Sequence, residues 1–126
     1  MKIVPDSNIF IALVISLAYS QAAIDKMEEW EQQNAELLVP TLWSYEVASS
    51  LRKAVAIGSI GAEEAVEDLQ DILSMNIRQV PPTPALHQKA LEWAGRLNQT
   101  VAYDAAFLAL AESEEAEFTD SRSATC

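Results

Sequence analysis

The sequence contains little of what builds disulfides, thiolate metal sites or histidine-based catalytic groups. Among its 126 residues there is one cysteine, Cys126, and one histidine, His87. A single thiol excludes an intrachain disulfide and a zinc site of clustered cysteines, and it suits the reducing cytoplasm, where we expect the protein to act. A lone histidine in an amphipathic segment gives no basis for a nucleophile triad. Catalysis through thiols or paired histidines is therefore disfavoured.

Basic residues are also scarce. The chain has 8 Lys and Arg against 19 Asp and Glu, which gives a formal net charge of −11. Broad, non-specific nucleic-acid binding depends on basic patches that neutralise phosphates, so this charge argues against it. The charge does not exclude a nuclease that holds its substrate through metal ions. It also favours a basic protein partner.

No apolar run is long enough for a membrane span. The run "IFIALVISLAYS" has the character of a signal-peptide core, but a transmembrane helix needs about 20 residues. A signal peptide also has a basic leader, whereas here the charge of Lys2 is cancelled by Asp6. We therefore predict a buried helix in this run, with no targeting signal and no membrane segment.

The alternation of short apolar runs with amphipathic stretches predicts an α/β fold. The predicted strands are residues 2–4, 36–40, 76–80 and 116–119. The predicted helices are residues 9–33, a segment capped by Thr41, and residues 62–74, 85–98 and 103–113. Strands separated by helices imply a parallel sheet that is covered on both faces. Ligands of such folds bind beyond the carboxyl ends of the strands.

Four acidic residues stand among apolar neighbours, where strands end or helices begin. Asp6 and Asp120 directly follow the first and last strands. Glu46 lies in the first turns of the helix after the second strand, and Asp104 opens the most apolar helix. Strand ends and the starts of the following helices meet at one edge of a parallel sheet, so we expect three of the four acids to converge there, while the spacing alone does not place Asp104.

Converging carboxylates require a counter-charge. Two carboxylates about 4 Å apart repel by roughly 4 kcal/mol at an effective dielectric constant of about 20. A divalent cation removes that repulsion, and an all-oxygen set of ligands suits Mg²⁺ or Mn²⁺. Helix N-termini near Glu46 and Asp104 favour their ionised forms. Ser7 and Asn8 add small hydrogen-bonding groups beside Asp6.

Four segments, in this order, resemble the motifs of one family: "PDSNIF", "VPTLWSYEVASSLRKA", "TVAYDAAFLALAE" and "AEFTD". Together they are similar to PIN-domain proteins, in particular the VapC-type toxin ribonucleases of bacterial and archaeal toxin–antitoxin pairs. The similarity extends over nearly the whole chain. It implies a three-layer α/β/α sandwich around a central parallel sheet, and one PIN-like domain over residues 1–126 that is shortened at its C-terminus.

The resemblance also implies an activity. Such proteins hold one or two Mg²⁺ or Mn²⁺ ions and hydrolyse phosphodiester bonds of single-stranded RNA. By motif position, Asp6, Glu46 and Asp104 match the three best-defined acids of the family and Asp120 matches the fourth. Ser7 matches the small hydroxyl residue after the first acid. Family members of this kind form homodimers and are silenced by a cognate antitoxin protein.

Two departures from the family pattern support a second interpretation, a catalytically silent PIN-like binding or regulatory module. Thr119 and Asp120 are adjacent, whereas relatives have a residue between them, and a one-residue shift in an extended segment turns a side chain to the opposite face. The chain also ends soon after Asp120. A third interpretation, a receiver-type phosphoacceptor domain, is disfavoured because no paired acids follow the first strand.

Each candidate residue also has a purely structural interpretation. Asp6 and Asp120 could serve only as turn or cap residues, and Glu46 only as a solvated helix residue. Asp104 could serve only as a partner of the helix dipole. Lys53 lies on the same side of its helix as Glu46 and is a candidate contact for RNA phosphate, although a solvated basic turn is the simpler interpretation.

Overall fold

The computed structural model describes residues 1–99 and 102–121. Within these residues the four strands are β1 (Lys2–Pro5), β2 (Glu36–Pro40), β3 (Ile77–Val80) and β4 (Glu117–Thr119). The six helices described are α1 (Ser7–Val14), α2 (Ser20–Gln32), α3 (Leu42–Ala56), α4 (Ala62–Leu73), α5 (Pro84–Arg96) and α6 (Tyr103–Glu114). No helix in these ranges combines the length and hydrophobicity needed to cross a membrane.

The strands form one parallel sheet in the order β3-β2-β1-β4. The neighbouring residues Ile3 and Val4 of β1 belong to different hydrophobic clusters, because successive side chains of a strand point to opposite faces. Both clusters contain helix residues, so apolar helices pack against both faces of the sheet. This arrangement confirms the predicted α/β/α sandwich with a central parallel sheet.

The apolar character of each strand matches its place in the sheet. The central strands β1 and β2 are fully or nearly buried at their apolar positions. The edge strand β3 exposes Arg78 and Gln79, and Arg78 forms ion pairs with Glu36 and Glu114. Parallel strands that are covered on both faces need continuous apolar runs, whereas edge strands tolerate charge.

The prediction of one helix over residues 9–33 is wrong, because the chain breaks there into α1 and α2. Helix α1 ends at Val14, and Ile15 already has an extended conformation. The hydroxyl of Ser20 donates to the Ile15 carbonyl at 3.0 Å and accepts from the Leu17 amide at 2.8 Å. A serine side chain that bonds nearby backbone groups competes with continued helix and stabilises the turn.

Thr41 stands at the start of α3, as predicted, but its side chain makes no capping hydrogen bond. Its backbone is already helical, and its amide donates to the Val80 carbonyl at the end of β3 at 3.2 Å. Two other side chains do cap helices that follow strands: Asp6 accepts from the Ile9 amide at the start of α1, and Thr83 accepts from the Leu86 amide at the start of α5.

Four helices end in the same C-terminal backbone motif. Each is followed by a residue with positive φ, after which an amide donates to a carbonyl five residues earlier. These left-handed residues are Asn34, Gly58, Asn98 and Glu115. The corresponding bonds run from Ala35 to Trp30, from Ser59 to Ala54, from Gln99 to Ala94 and from Ala116 to Ala111, at 2.8 to 2.9 Å.

An aromatic pair joins helices α1 and α3. The rings of Phe10 in α1 and Trp43 in α3 meet edge to face, with their centroids 5.2 Å apart. Both side chains are almost completely buried in the main hydrophobic cluster. A pair of this geometry stabilises by about 0.5–1.5 kcal/mol beyond the area it buries. It therefore fixes the start of α1 relative to the start of α3.

Candidate active site

A cleft of about 960 Å³ opens where β1 and β4 end. Pro5 and Thr119, the last residues of these neighbouring strands, are paired in register. The amide of Asp6 donates to the Thr119 carbonyl at 2.9 Å, so the segments that leave the two strands stay side by side. The cleft therefore lies at the carboxyl edge of the sheet, where ligands of parallel α/β folds bind.

All the candidate residues predicted from the sequence line this one cleft. They are Asp6, Glu46, Asp104, Asp120, Ser7, Asn8 and Lys53. The four acids reach it from four different elements: the start of α1, the body of α3, the first turn of α6 and the segment after β4. The fold thus brings Asp104 to the same place as the acids that follow strands.

Two backbone amides fix the carboxylate of Asp6. Its Oδ1 accepts from the Ile9 amide at 3.2 Å, and its Oδ2 accepts from the Ser121 amide at 3.0 Å. Burial raises the pKa of Asp6 above its usual 3.8, and the charge of Asp120 adds to the rise, while the backbone hydrogen bonds oppose it. Asp6 is therefore a helix cap and a member of the acidic cleft at once, so the two interpretations of this residue are compatible.

Glu46 is held by the residue that follows Asp6. The hydroxyl of Ser7 donates to Glu46 Oε1 at 3.2 Å. Burial raises the pKa of Glu46 above its usual 4.5, the hydrogen bond from Ser7 lowers it, and the charges of Asp104 and Asp6 raise it further. The pKa of Glu46 thus responds to two other acids of the cleft.

Asp104 and Asp120, the other two acids of the cleft, differ in exposure. Asp104 is exposed in the first turn of α6, and Asp120 is partly buried just after β4. Thr119, the last strand residue, is 5% exposed. Because Asp120 lies beyond the end of the strand, the strict alternation of extended backbone no longer applies to it, and it lines the cleft although it directly follows Thr119.

The cleft has the chemistry of a divalent-cation site but not a ready-made set of ligands. Within residues 1–99 and 102–121, no three His, Cys, Asp or Glu side chains are already arranged to hold one ion. The donors are carboxylate oxygens, which suit Mg²⁺ or Mn²⁺, and the raised pKa values of Asp6 and Glu46 reflect burial and mutual repulsion that a cation would offset. The acids that the sequence predicts to converge thus share one cleft.

Sequence reasoning missed several lining residues. Ser49 and Ser50 lie one turn after Glu46 on α3, and with Lys53 they continue the same helix face along the cleft. Because Ser49 and Ser50 follow Glu46 by about one helical turn, the spacing could have identified them as residues of the same helix face. Tyr45 and Tyr103 also line the cleft, each directly before a candidate acid. No periodic pattern marks them, because both are exposed on helices whose other apolar residues face the core.

Comparison with solved structures finds the same fold in two toxin–antitoxin proteins. A chain in the structure of VapBC2 from Rickettsia felis, bound to a DNA fragment from its promoter, matches with a TM-score of 0.68 and 14% identity, covering 94% of this chain and 86% of that one. VapC20 from Mycobacterium tuberculosis, a toxin that cleaves the sarcin–ricin loop, matches with a TM-score of 0.68 and 20% identity, covering 90% and 84%. At these identities the likeness is one of fold.

Comparison with curated protein sequences gives no match. The sequence does match the PIN domain family, and the match runs over residues 3–122 and so includes all four acids of the cleft. The resemblance to PIN-domain proteins that the motifs indicated is confirmed. This chain belongs to the PIN domain family.

Proposed function

We propose that this protein is a metal-dependent endoribonuclease of the VapC type, which hydrolyses phosphodiester bonds of single-stranded RNA. The observation that carries the proposal is that Asp6, Glu46, Asp104 and Asp120, from four separate elements, line one cleft at the carboxyl edge of a PIN-domain sheet. Burial and neighbouring acids raise the pKa of Asp6 and of Glu46, and perturbed acids in a cleft are typical of functional sites.

The proposed cofactor is Mg²⁺ or Mn²⁺. Asp6, Glu46, Asp104 and Asp120 would hold it, and when bound it would supply positive charge for the substrate phosphate and activate a water molecule. The protein's own contribution is to orient these carboxylates. Backbone amides fix Asp6 and the Ser7 hydroxyl fixes Glu46. Groups held in this way need little reorganisation when the substrate binds.

Lys53 has a supporting role in this proposal. It lines the cleft two turns after Glu46 on α3, where its ammonium group can contact a phosphate next to the scissile one. Asn8, which is exposed at the start of α1, is a candidate hydrogen-bonding group for the same substrate. Both residues would position the substrate and would take no part in breaking the phosphodiester bond.

The proposal includes a cognate antitoxin and a homodimer. One of the similar structures is a VapBC complex, and the net charge of −11 favours a basic partner segment near the acidic cleft. A toxin that cleaves RNA in its own cell would need such an inhibitor. We propose cytoplasmic action for the same reason.

The test is cleavage of a single-stranded RNA with Mg²⁺ or Mn²⁺ by the wild type and by Asp104→Asn. The expected loss of rate is about 100-fold, because one carboxylate of the cation site is removed. Asp71→Asn, on the exposed face of α4, is the matched control and keeps wild-type activity. Equal rates for the wild type and Asp104→Asn would refute the assignment.

A second candidate, a catalytically silent binding module, is favoured by one observation. No three acids among the described residues already form a ligand set. A silent module would bind RNA or a protein partner without metal and would leave RNA intact at any concentration of Mg²⁺ or Mn²⁺. Metal-dependent cleavage that depends on Asp104 excludes it.

A further inference from the structure

We propose that Tyr45 and Tyr103 are stacking platforms for unpaired bases of the RNA at the rim of the acidic cleft. This inference rests on the proposed function and assigns two residues that position the substrate. It also explains in physical terms why the protein would select single-stranded RNA, because a base inside a duplex has no free face for an aromatic ring.

Both rings are exposed to a degree that is unusual for large aromatic side chains. Tyr45 is 79% exposed and Tyr103 is 64% exposed, and both line the cleft with the four acids. Within the part of the chain that the structure describes, the ring contacts join Phe10 to Trp43 and Arg96 to Trp93, and they involve neither tyrosine. Two aromatic faces at the cleft are therefore open to a ligand.

The positions of the two tyrosines follow one pattern. Tyr45 directly precedes Glu46 near the start of α3, and Tyr103 directly precedes Asp104 at the start of α6. Neighbouring residues of a helix point about 100° apart, so a ring next to a carboxylate that faces the cleft stands at the rim. A base stacked on either ring would hold its own phosphate close to the acids.

The charges of the cleft explain why stacking is needed. Four acids line it, and among its described lining residues Lys53 is the single cationic side chain. Electrostatic attraction to the RNA backbone is therefore weak outside the cation site, although it supplies most of the affinity in basic nucleic-acid-binding proteins. Stacking on an aromatic ring strengthens binding about tenfold or more per base and accepts any base.

The test uses Tyr45→Ala and Tyr103→Ala, each paired with its Phe variant, which keeps the ring. Ile57→Ala is the control, since Ile57 is an equally exposed apolar residue, at 78%, that follows α3 but does not line the cleft. Cleavage kinetics are measured on a single-stranded RNA. In parallel, the fluorescence of 2-aminopurine in a short oligoribonucleotide reports stacking, with Ca²⁺ replacing Mg²⁺.

Each Ala variant is expected to raise KM about tenfold with little change in kcat, and to lose part of the 2-aminopurine quenching that the wild type shows. Each Phe variant and Ile57→Ala are expected to behave as the wild type. Unchanged KM and quenching in both Ala variants would overturn the inference. An equal defect in the Phe variants would also overturn it, because the hydroxyl and not the ring would then matter.

Two further outcomes separate this inference from the proposed function. If the wild type cleaves RNA and the Ala variants only alter the oligomeric state, seen by sedimentation, with unchanged KM, the tyrosines form a subunit interface and the stacking role is wrong. If the wild type quenches 2-aminopurine through both rings but cleaves no RNA with any divalent cation, the stacking role stands and the proposed ribonuclease is wrong.

Discussion

The hydroxyl of Ser7 donates a hydrogen bond to Glu46 Oε1 at 3.2 Å, across 39 residues of sequence. Ser7 is 8% exposed and is the first residue of α1, directly after Asp6. The residue next to one acid of the cleft thus orients another acid on a different helix. This bond links the segment that follows β1 directly to α3.

Glu46→Gln is expected to increase the free energy of unfolding at pH 7. Burial and the neighbouring acids raise the pKa of Glu46 in the folded protein, while in the unfolded chain it ionises near its usual 4.5. Between these two pKa values the folded state holds a proton that the unfolded state has lost, so stability falls as pH rises through this range. Gln keeps an oxygen that accepts from Ser7 and removes the buried charge.

Thermal and urea unfolding from pH 3 to pH 8 without metal check this expectation. The difference between Glu46→Gln and the wild type should disappear below the usual pKa of the carboxyl group, where both states are protonated. Glu117→Gln, on an exposed position of the edge strand β4, is the control for loss of a surface charge. A Glu46→Gln protein that is less stable than the wild type at pH 7 would contradict the assigned direction.

Lys53→Ala is expected to weaken RNA binding, while its neighbour Arg52 provides a matched control. Both side chains are exposed on α3, but only Lys53 lines the cleft. If Lys53 neutralises one phosphate, log KM for single-stranded RNA rises less steeply with the logarithm of the salt concentration in Lys53→Ala. We expect a slope smaller by about 0.7 than that of the wild type. Kinetics at several salt concentrations measure this slope. Equal slopes for Lys53→Ala and Arg52→Ala would indicate a diffuse effect of charge and not a contact.

The acids of the cleft could be placed from the sequence because strand ends are visible in it. The apolar runs mark β1 and β4, so Asp6 and Asp120 could be placed at the sheet edge, although the adjacency of Thr119 and Asp120 left the direction of the Asp120 side chain open. The resemblance to PIN-domain proteins and the apolar character of α6 identified Asp104 as a further candidate residue of the cleft. The distances between carboxylates could not be predicted, since they depend on helix packing such as the contact of Phe10 with Trp43.

Local side-chain hydrogen bonds were harder to predict. The apolar periodicity continues from α1 into α2, and it does not show the break that the bonds of Ser20 to Ile15 and Leu17 stabilise. Helix ends also differ in how well the sequence predicts them. Asn34, Gly58 and Asn98 are residue types that accept a left-handed conformation, but Glu115 is not, so its role at the end of α6 could not be foreseen.

Glu115→Gly is expected to stabilise the protein by about 1 kcal/mol, because Glu115 has φ 53° and a side chain in the left-handed region costs about that much. Glu115→Ala is the control, since it removes the same charge but keeps the Cβ atom. Urea unfolding should show a clear gain for Gly and a smaller change for Ala. Equal gains for the two variants would mean that charge, and not backbone conformation, limits stability at this helix end.

The most direct test of the proposed cation site is a calorimetric titration of the protein with Mn²⁺. We expect saturable binding to the wild type, at least about tenfold weaker binding to Asp104→Asn, and wild-type binding to Asp71→Asn. The charge of Asp104 raises the pKa of Glu46, so an ion shared between them should respond to the loss of either. Absence of saturable binding to the wild type, or equal affinity for the wild type and Asp104→Asn, would contradict the account.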